Sequence, residues 1–386
     1  MDLFGEEPEE IIEETETDFS DAPVEETQGL VAPRLMSICI GHEKCEADLL
    51  ERFKSGRMPH GLIFSGLRGI GKATFAYRFA RFLLKQRASD PNQSAMFDDA
   101  PTEMNSFDVP SDDPVFRQVA AGGHADLLTV ERDYDAAKDI YKDSVAVDAV
   151  RKVNPFLRMT ASKDGGWRVV IIDDADTMNR SAQNALLKIL EEPPANTVLI
   201  LVCHRLGAMI PTIRSRAHTL SFNPLTEPAF ERLLSSNGYD TSPAQLETLY
   251  QLSEGSIGVA LEHIEQGGLD TLTQILGMLQ SYPTWSWPEI HALAEELGRN
   301  GRNQSYKAFA ELLPWVFSQM IKAKARGQNI ASRALHIDAI ETLHRQSSLE
   351  SLLKICENLK SHFERAERSN LDKRQAVLGA FSIIAA

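Results

Sequence analysis

Short, unbroken apolar runs recur through the first half of the chain: Leu62-Ile63-Phe64, Leu127-Leu128-Thr129-Val130, Val169 to Ile172, Val198 to Val202 and His218 to Phe222. Runs of this length that do not alternate with polar positions predict strands covered on both faces, the pattern of a parallel sheet. Between them the spacing becomes helical. Thr74 to Lys85 sets Phe75, Phe79, Phe82 and Leu83 along one side of a helix, and Val147 to Phe156 and Arg180 to Glu192 read as helices too, the last closed by Pro193-Pro194. Strands and helices in this alternation predict an α/β domain.

After Pro224 the strand-like runs stop. Residues 224–282 read as short helices ending at Ser281-Tyr282-Pro283, and residues 283–386 as longer amphipathic helices such as Tyr306 to Lys324, Leu335 to Gln346, Leu349 to Arg368 and Asp372 to Ala385. The expected order is a tail over 1–33, an α/β domain over 34–223, a small helical domain over 224–282 and a helical domain over 283–386.

Charge changes the picture at the amino end. The chain has 386 residues and a net charge of −15, yet twelve acidic side chains stand between Asp2 and Glu26 and the first basic residue is Arg34; without those twelve the rest carries −3. The tail has Pro8, Pro23 and Pro33 and few large apolar groups, so it lacks the burial that offsets ordering entropy and is expected to be disordered. A second polar stretch, 87–114, reads as a flexible insertion. The nearly neutral body is not a basic nucleic-acid surface, so DNA contact has to be local or shared with partners. Four scattered cysteines, Cys39, Cys45, Cys203 and Cys356, form no Cys-x-x-Cys pair, which argues against a disulfide framework or a zinc ribbon and for a reducing compartment. No basic segment leads into an apolar run at the amino end, and no apolar run is long enough to span a bilayer. The expectation is a soluble cytoplasmic protein without membrane contact.

Two motifs carry chemistry. Gly66-Leu67-Arg68-Gly69-Ile70-Gly71-Lys72-Ala73-Thr74 lies between a strand and a helix and fits Gly-x4-Gly-Lys. In that pattern the glycines let backbone N–H groups close around phosphates while the lysine reaches the outer ones. Gly66, Gly69, Ile70, Gly71, Lys72, Ala73 and Thr74 are therefore candidate nucleotide-binding residues, the alternative being a chance glycine turn. Ala73 stands where a hydroxyl would meet magnesium and Thr74 comes one residue late, so a metal is not expected in this loop. The second motif, Arg168 to Asp176, is an apolar strand ending in carboxylates. In phosphate-loop proteins the first acid holds magnesium and the next polarises the attacking water, places taken here by Asp173 and Asp174. A solvated acidic strand edge is the alternative.

Asp173-Asp174-Ala175-Asp176, then Asn184 to Leu190 with Glu191-Glu192-Pro193-Pro194, then Pro211-Thr212-Ile213-Arg214-Ser215-Arg216-Ala217, together resemble the bacterial clamp-loader ATPases of DNA polymerase III. Ile40-Gly41-His42-Glu43 and Gly255-Ser256-Ile257-Gly258-Val259-Ala260-Leu261 extend the resemblance over most of 35–265, and the last hundred residues match in helical character and position. The resemblance implies an AAA+ domain with a parallel sheet, a small helical lid and an all-α collar. Within the family, motor subunits of the gamma/tau type place an arginine where this chain has Gly258, a small hydroxyl residue where it has Cys203-His204, and a glutamate where it has Asp174. With Ala73 these departures point to the delta-prime branch, in which ATP can bind at a degenerate site but hydrolysis is negligible. Ser215-Arg216-Ala217 resembles the family's Ser-Arg-Cys motif, whose arginine enters the neighbouring subunit's ATP site. Arg216 is thus the candidate catalytic residue in trans, against the reading of a surface arginine capping a loop; Arg214 lies outside the motif.

The implied partners are gamma/tau motor subunits, the delta subunit, and the sliding clamp and primed DNA through the assembled complex. The chain is then part of DNA-directed DNA polymerase III, with little or no ATPase of its own. Relatives often carry four zinc-binding cysteines between the two motifs, but no cysteine occurs between Cys45 and Cys203, so no zinc is expected. His124 beside Asp126 reads as structural, and Trp285, Trp287 and Trp315 as core or interface residues. The rival functions are an active gamma/tau-type ATPase and a non-catalytic phosphate-loop assembly module of the polymerase.

Overall fold

A computed structural model describes residues 31–86, 106–135, 140–162, 166–299, 303–327, 335, 338–369 and 371–385. The expected disordered tail, but for residues 31–33, lies outside them. In chain order the first half holds α1 (Glu43–Lys54), β1 (Gly61–Ser65), α2 (Lys72–Lys85), α3 (Pro114–Ala120), β2 (Leu127–Val130), β3 (Tyr134–Asp135), β4 (Ile140–Tyr141), α4 (Val147–Arg151), α5 (Val153–Arg158), β5 (Arg168–Ile172), α6 (Arg180–Ala185), α7 (Leu187–Glu191), β6 (Thr197–Cys203), α8 (Pro211–Arg214) and β7 (His218–Ser221).

Five strands form one sheet in the order β2-β5-β6-β1-β7, and every pairing in it is parallel. Alternate residues supply opposite faces. Leu62, Phe64, Val169, Ile171, Val198 and Ile200 face a core shared with α1 and α2, whereas Ile63, Val170, Ile172, Leu199 and Leu201 face a second core with α4 to α8. Both faces are covered, so the strands read as continuous apolar runs. The first core is aromatic: Phe75 of α2 meets Phe222, Phe64 and Phe107 edge-on at ring centroid distances of 5.1, 5.5 and 5.8 Å.

Three expectations change. Residues 87–105 of the polar insertion lie outside the described residues, but 106–114 do not form a flexible loop: Phe107 is fully buried and Val109 nearly so, because the sheet face beside α2 needs another aromatic side chain to close it. The helix expected over 147–156 is broken after Arg151. Pro155 has no N–H to give the Arg151 carbonyl, and α5 starts afresh at Val153. The helix over 180–192 likewise divides at Leu186.

The second half holds α9 (Glu227–Ser236), α10 (Pro243–Leu252), α11 (Ile257–Glu265), α12 (Gly268–Leu279), α13 (Trp287–Gly298), α14 (Asn303–Ala325), α15 (Asp338–Gln346), α16 (Leu349–Arg368) and α17 (Lys373–Ala385). A small core of Leu225, Phe230, Leu249, Ala260 and Leu261 joins α9, α10 and α11. The start of α10 is set by a capping box between Ser242 and Gln245 with Pro243 at the first helical position. A larger core built around Phe309, Phe317 and Phe381 joins α12 to α17. Leu272, Ile275 and Leu279 of α12 belong to that larger core together with Leu252 of α10, while Leu269 of α12 packs against the small one, so α12 bridges the two cores. Trp285 meets Phe381 edge-on at 5.7 Å and Trp315 is packed against the same core. No helix among the described residues is long and apolar enough to cross a membrane.

Candidate functional site

The phosphate-loop sequence turns from the carboxyl end of β1 into α2, beside a cavity of about 560 Å³. Gly69, Ile70, Gly71, Lys72, Ala73, Thr74 and Asp173 all line it. Gly69 at φ +75° and Gly71 at φ +98° adopt left-handed backbone that disfavours any side chain. Gly66 does not line the cavity; a Cβ there would strike the Phe222 carbonyl, so its glycine serves close packing. His42, the residue before α1, is buried and its Nε2 lies 2.6 Å from the Ile70 carbonyl oxygen. Burial holds its pKa below the usual histidine value, so the neutral ring donates Nε2–H and buttresses the loop from beneath.

The lid meets the loop directly. Ser256 Oγ donates to the Arg68 carbonyl at 2.7 Å, Gly258 N–H to the Gly69 carbonyl at 2.9 Å, and Arg68 pairs with Glu262 at 2.6 Å. The approach leaves no room for side chains: a Cβ on Gly69 would lie 2.5 Å from Ser256 Oγ, and one on Gly258 2.9 Å from the Gly69 Cα. Glycine at position 258 therefore admits the loop backbone.

The charged groups engage one another. Lys72 is almost fully buried, and its Nζ lies 2.8 Å from the Gly66 carbonyl oxygen, 2.8 Å from His204 Nδ1 and close to the Leu67 carbonyl oxygen. His204 Nε2 lies 2.7 Å from Asp174 Oδ1, and Arg132 Nε lies 2.6 Å from Asp174 Oδ2. The latter is an ion pair by distance without the alignment of a hydrogen bond, since Arg132 Nε has no hydrogen-bond partner. Asp174 has left-handed backbone at φ 48°, a strained conformation for a non-glycine residue at a strand end. Burial, and the charge of Asp174 second, push the Asp173 carboxyl up to about 6. Burial likewise brings the Lys72 ammonium down to about 8, against the opposing pull of Asp173. Asp176 is buried and accepts the His204 backbone N–H at 2.8 Å, fixing the turn that carries the imidazole.

The groups that would receive a magnesium nucleotide are engaged within the chain. Ala73 offers no hydroxyl, the three Lys72 protons already have acceptors, and both Asp174 oxygens have partners. Among the described residues no cluster of His, Cys, Asp or Glu could hold a metal ion. Sequence reasoning brought Lys72, Asp173, Asp174 and His204 to this site, named His42 and Ser256 within motifs of the resemblance without placing them here, and did not single out Arg132. Arg132 follows β2 in a stretch with no motif, and nothing in its neighbours signals that it turns toward Asp174.

Arg216 is elsewhere. It follows α8 and precedes β7 by two residues; its Nη1 donates to the Thr212 carbonyl at 3.0 Å and its Nη2 pairs with Glu191 Oε1 at 3.0 Å, with both side chains well exposed. Because β7 runs parallel to β1, with His218 opposite Leu62, Arg216 stands at the amino end of the strands and the phosphate loop at the carboxyl end. The length of a five-residue strand, about 16 Å, lies between them.

The family model described as DNA polymerase III, delta subunit, matches residues 41–226. The DNA polymerase III subunit delta' of Pseudomonas aeruginosa is 33% identical over 218 residues, 56% of this chain and 59% of that protein. Its Escherichia coli counterpart is 31% identical over 248 residues, 63% of this chain and 66% of that protein. Over this region the chain is similar to DNA polymerase III delta-prime subunits. The matches span a little under two thirds of those relatives' lengths. A replication factor C small subunit 2 from Pyrobaculum arsenaticum is 26% identical over 322 residues, 81% of this chain and 84% of that protein, and so reaches further into the helical half. The delta-prime family match contains the phosphate loop, Asp173, Asp174, His204 and Arg216, whereas Ser256 and Gly258 lie beyond it.

Proposed function

We propose that this chain is the delta-prime subunit of a DNA polymerase III clamp loader, a ring member that supplies Arg216 to the ATP held by a neighbouring motor subunit while the complex loads a sliding clamp onto primed DNA. The similarity to delta-prime subunits over residues 41–226 supports the complex and its replication role. The observation that carries the finer reading is the position of Arg216 at the end of the sheet opposite its own Lys72. An arginine there serves no nucleotide in its own subunit, and its guanidinium, paired with Glu191 and the Thr212 carbonyl, is exposed where another chain can compete for it. Such a group stays charged and presents a planar fork to phosphate oxygens, which suits it to stabilising charge that builds up as a phosphoryl bond breaks. The engagement of Lys72 and Asp174 within the chain favours this reading over an active gamma/tau-type ATPase.

The test is reconstitution with gamma/tau and delta subunits. Arg216→Ala is expected to leave ring assembly intact on size-exclusion chromatography while suppressing clamp loading and the partner's ATP turnover. Unchanged rates from an intact ring would defeat the assignment.

A further inference from the structure

An ammonium has three protons to donate and no lone pair. Lys72 has three acceptors, the Gly66 and Leu67 carbonyls and His204 Nδ1, so its donor capacity is spent inside the protein. Because His204 Nδ1 faces an ammonium, it has to accept, which puts the ring proton on Nε2, where it is donated to Asp174 Oδ1 at 2.7 Å. The second Asp174 oxygen is held by the Arg132 charge at 2.6 Å. Lys72, His204, Asp174 and Arg132 thus form one continuous chain of opposed charges linked through a neutral imidazole, beside the cavity that the loop lines.

We infer that His204 is the residue that closes this site to nucleotide: its imidazole ties the loop lysine to Asp174, so the polar groups that would receive phosphates are satisfied by one another. The imidazole fits the task because its two nitrogens reach opposite ways, one accepting from the lysine and one donating to the aspartate. A threonine or serine in its place is too short to join both groups. Removing the ring frees one Lys72 proton and one Asp174 oxygen while the lid contacts at Arg68 and Gly69, which do not involve His204, remain. Nucleotide affinity is therefore latent in this chain rather than lost, and one substitution exposes it. The inference is independent of the role proposed for Arg216, because its readout is binding to the isolated chain.

The experiment is equilibrium dialysis of radiolabelled ADP and of ATP with magnesium against the full chain and His204→Ala. Wild type is expected to show no saturable binding at micromolar nucleotide. His204→Ala should bind at least ~10-fold more tightly, a gain that ~1.4 kcal/mol represents, and Lys72→Ala added to it should cancel the gain. Tight binding by wild type, or a folded His204→Ala chain no better than wild type, overturns the inference. Should His204→Ala not fold, nitrogen-15 NMR of wild-type histidine rings decides: the neutral Nε2–H tautomer at His204 supports the relay, and an imidazolium or Nδ1–H tautomer refutes it.

Discussion

Gly258 and Gly69 meet backbone to backbone, with the Gly258 N–H 2.9 Å from the Gly69 carbonyl oxygen and a Cβ on Gly258 2.9 Å from the Gly69 Cα. Main-chain atoms lie on both sides, so no flexible side chain can move aside. Gly258→Ala is expected to destabilise the chain by about 1–3 kcal/mol, the usual range for overpacking, as read by urea unfolding. Gly258→Arg, the residue that the resemblance to motor subunits would place here, should be at least as costly and bring no ATPase. An arginine variant of unchanged stability would show that loop and lid separate freely.

The buried Asp173 carboxyl makes stability depend on pH. Its pKa rises from an ordinary 3.8 to about 6 in the folded chain, so the native state holds the proton more tightly than the unfolded one. Stability falls as pH rises between these values, and above pH 6 the folded chain bears the whole cost. Asp173→Asn removes that cost and should unfold at higher urea than wild type at neutral pH, by on the order of 3 kcal/mol. The gap should close toward pH 4, and a gap independent of pH would contradict the burial argument.

Glu191 competes for the guanidinium of Arg216. The pair is solvent-exposed, at 37% for Arg216 and 49% for Glu191, and exposed pairs contribute at most about 1 kcal/mol. Glu191→Gln should therefore leave the unfolding midpoint unchanged. With Arg216 acting on a neighbour's ATP, release of the side chain should raise ATP turnover of the reconstituted ring by up to about fivefold. A fall in turnover would instead mean that Glu191 orients the arginine.

Much of the fold was legible because period and burial agree. The five apolar runs became the five strands of the sheet, and Leu349 to Arg368 became α16 residue for residue. The phosphate loop was legible because left-handed backbone at Gly69 and Gly71 demands glycine, so the geometry is written in residue type. What escaped depends on contacts distant in sequence. Phe107 sits in a polar stretch, and its burial follows from the gap beside Phe75 and Phe79. Arg81 looks like a surface residue of α2 but is buried, donating to the Arg34 and Met36 carbonyls at 3.0 and 2.6 Å with its guanidinium over Phe116. Arg132 reaches Asp174 from a segment without periodicity. The divided helix at Pro155 was the exception, since a proline inside a helical pattern is itself a sequence signal.

The most direct test compares Arg216→Ala with Lys72→Ala in one reconstituted ring, measuring DNA-stimulated ATP hydrolysis and clamp loading side by side. A subunit that gives an arginine to its neighbour and does not burn its own ATP predicts loss of both activities with Arg216→Ala and full retention of both with Lys72→Ala. The opposite pattern, activity lost with Lys72→Ala and kept with Arg216→Ala, would make this chain a motor and contradict the proposed role.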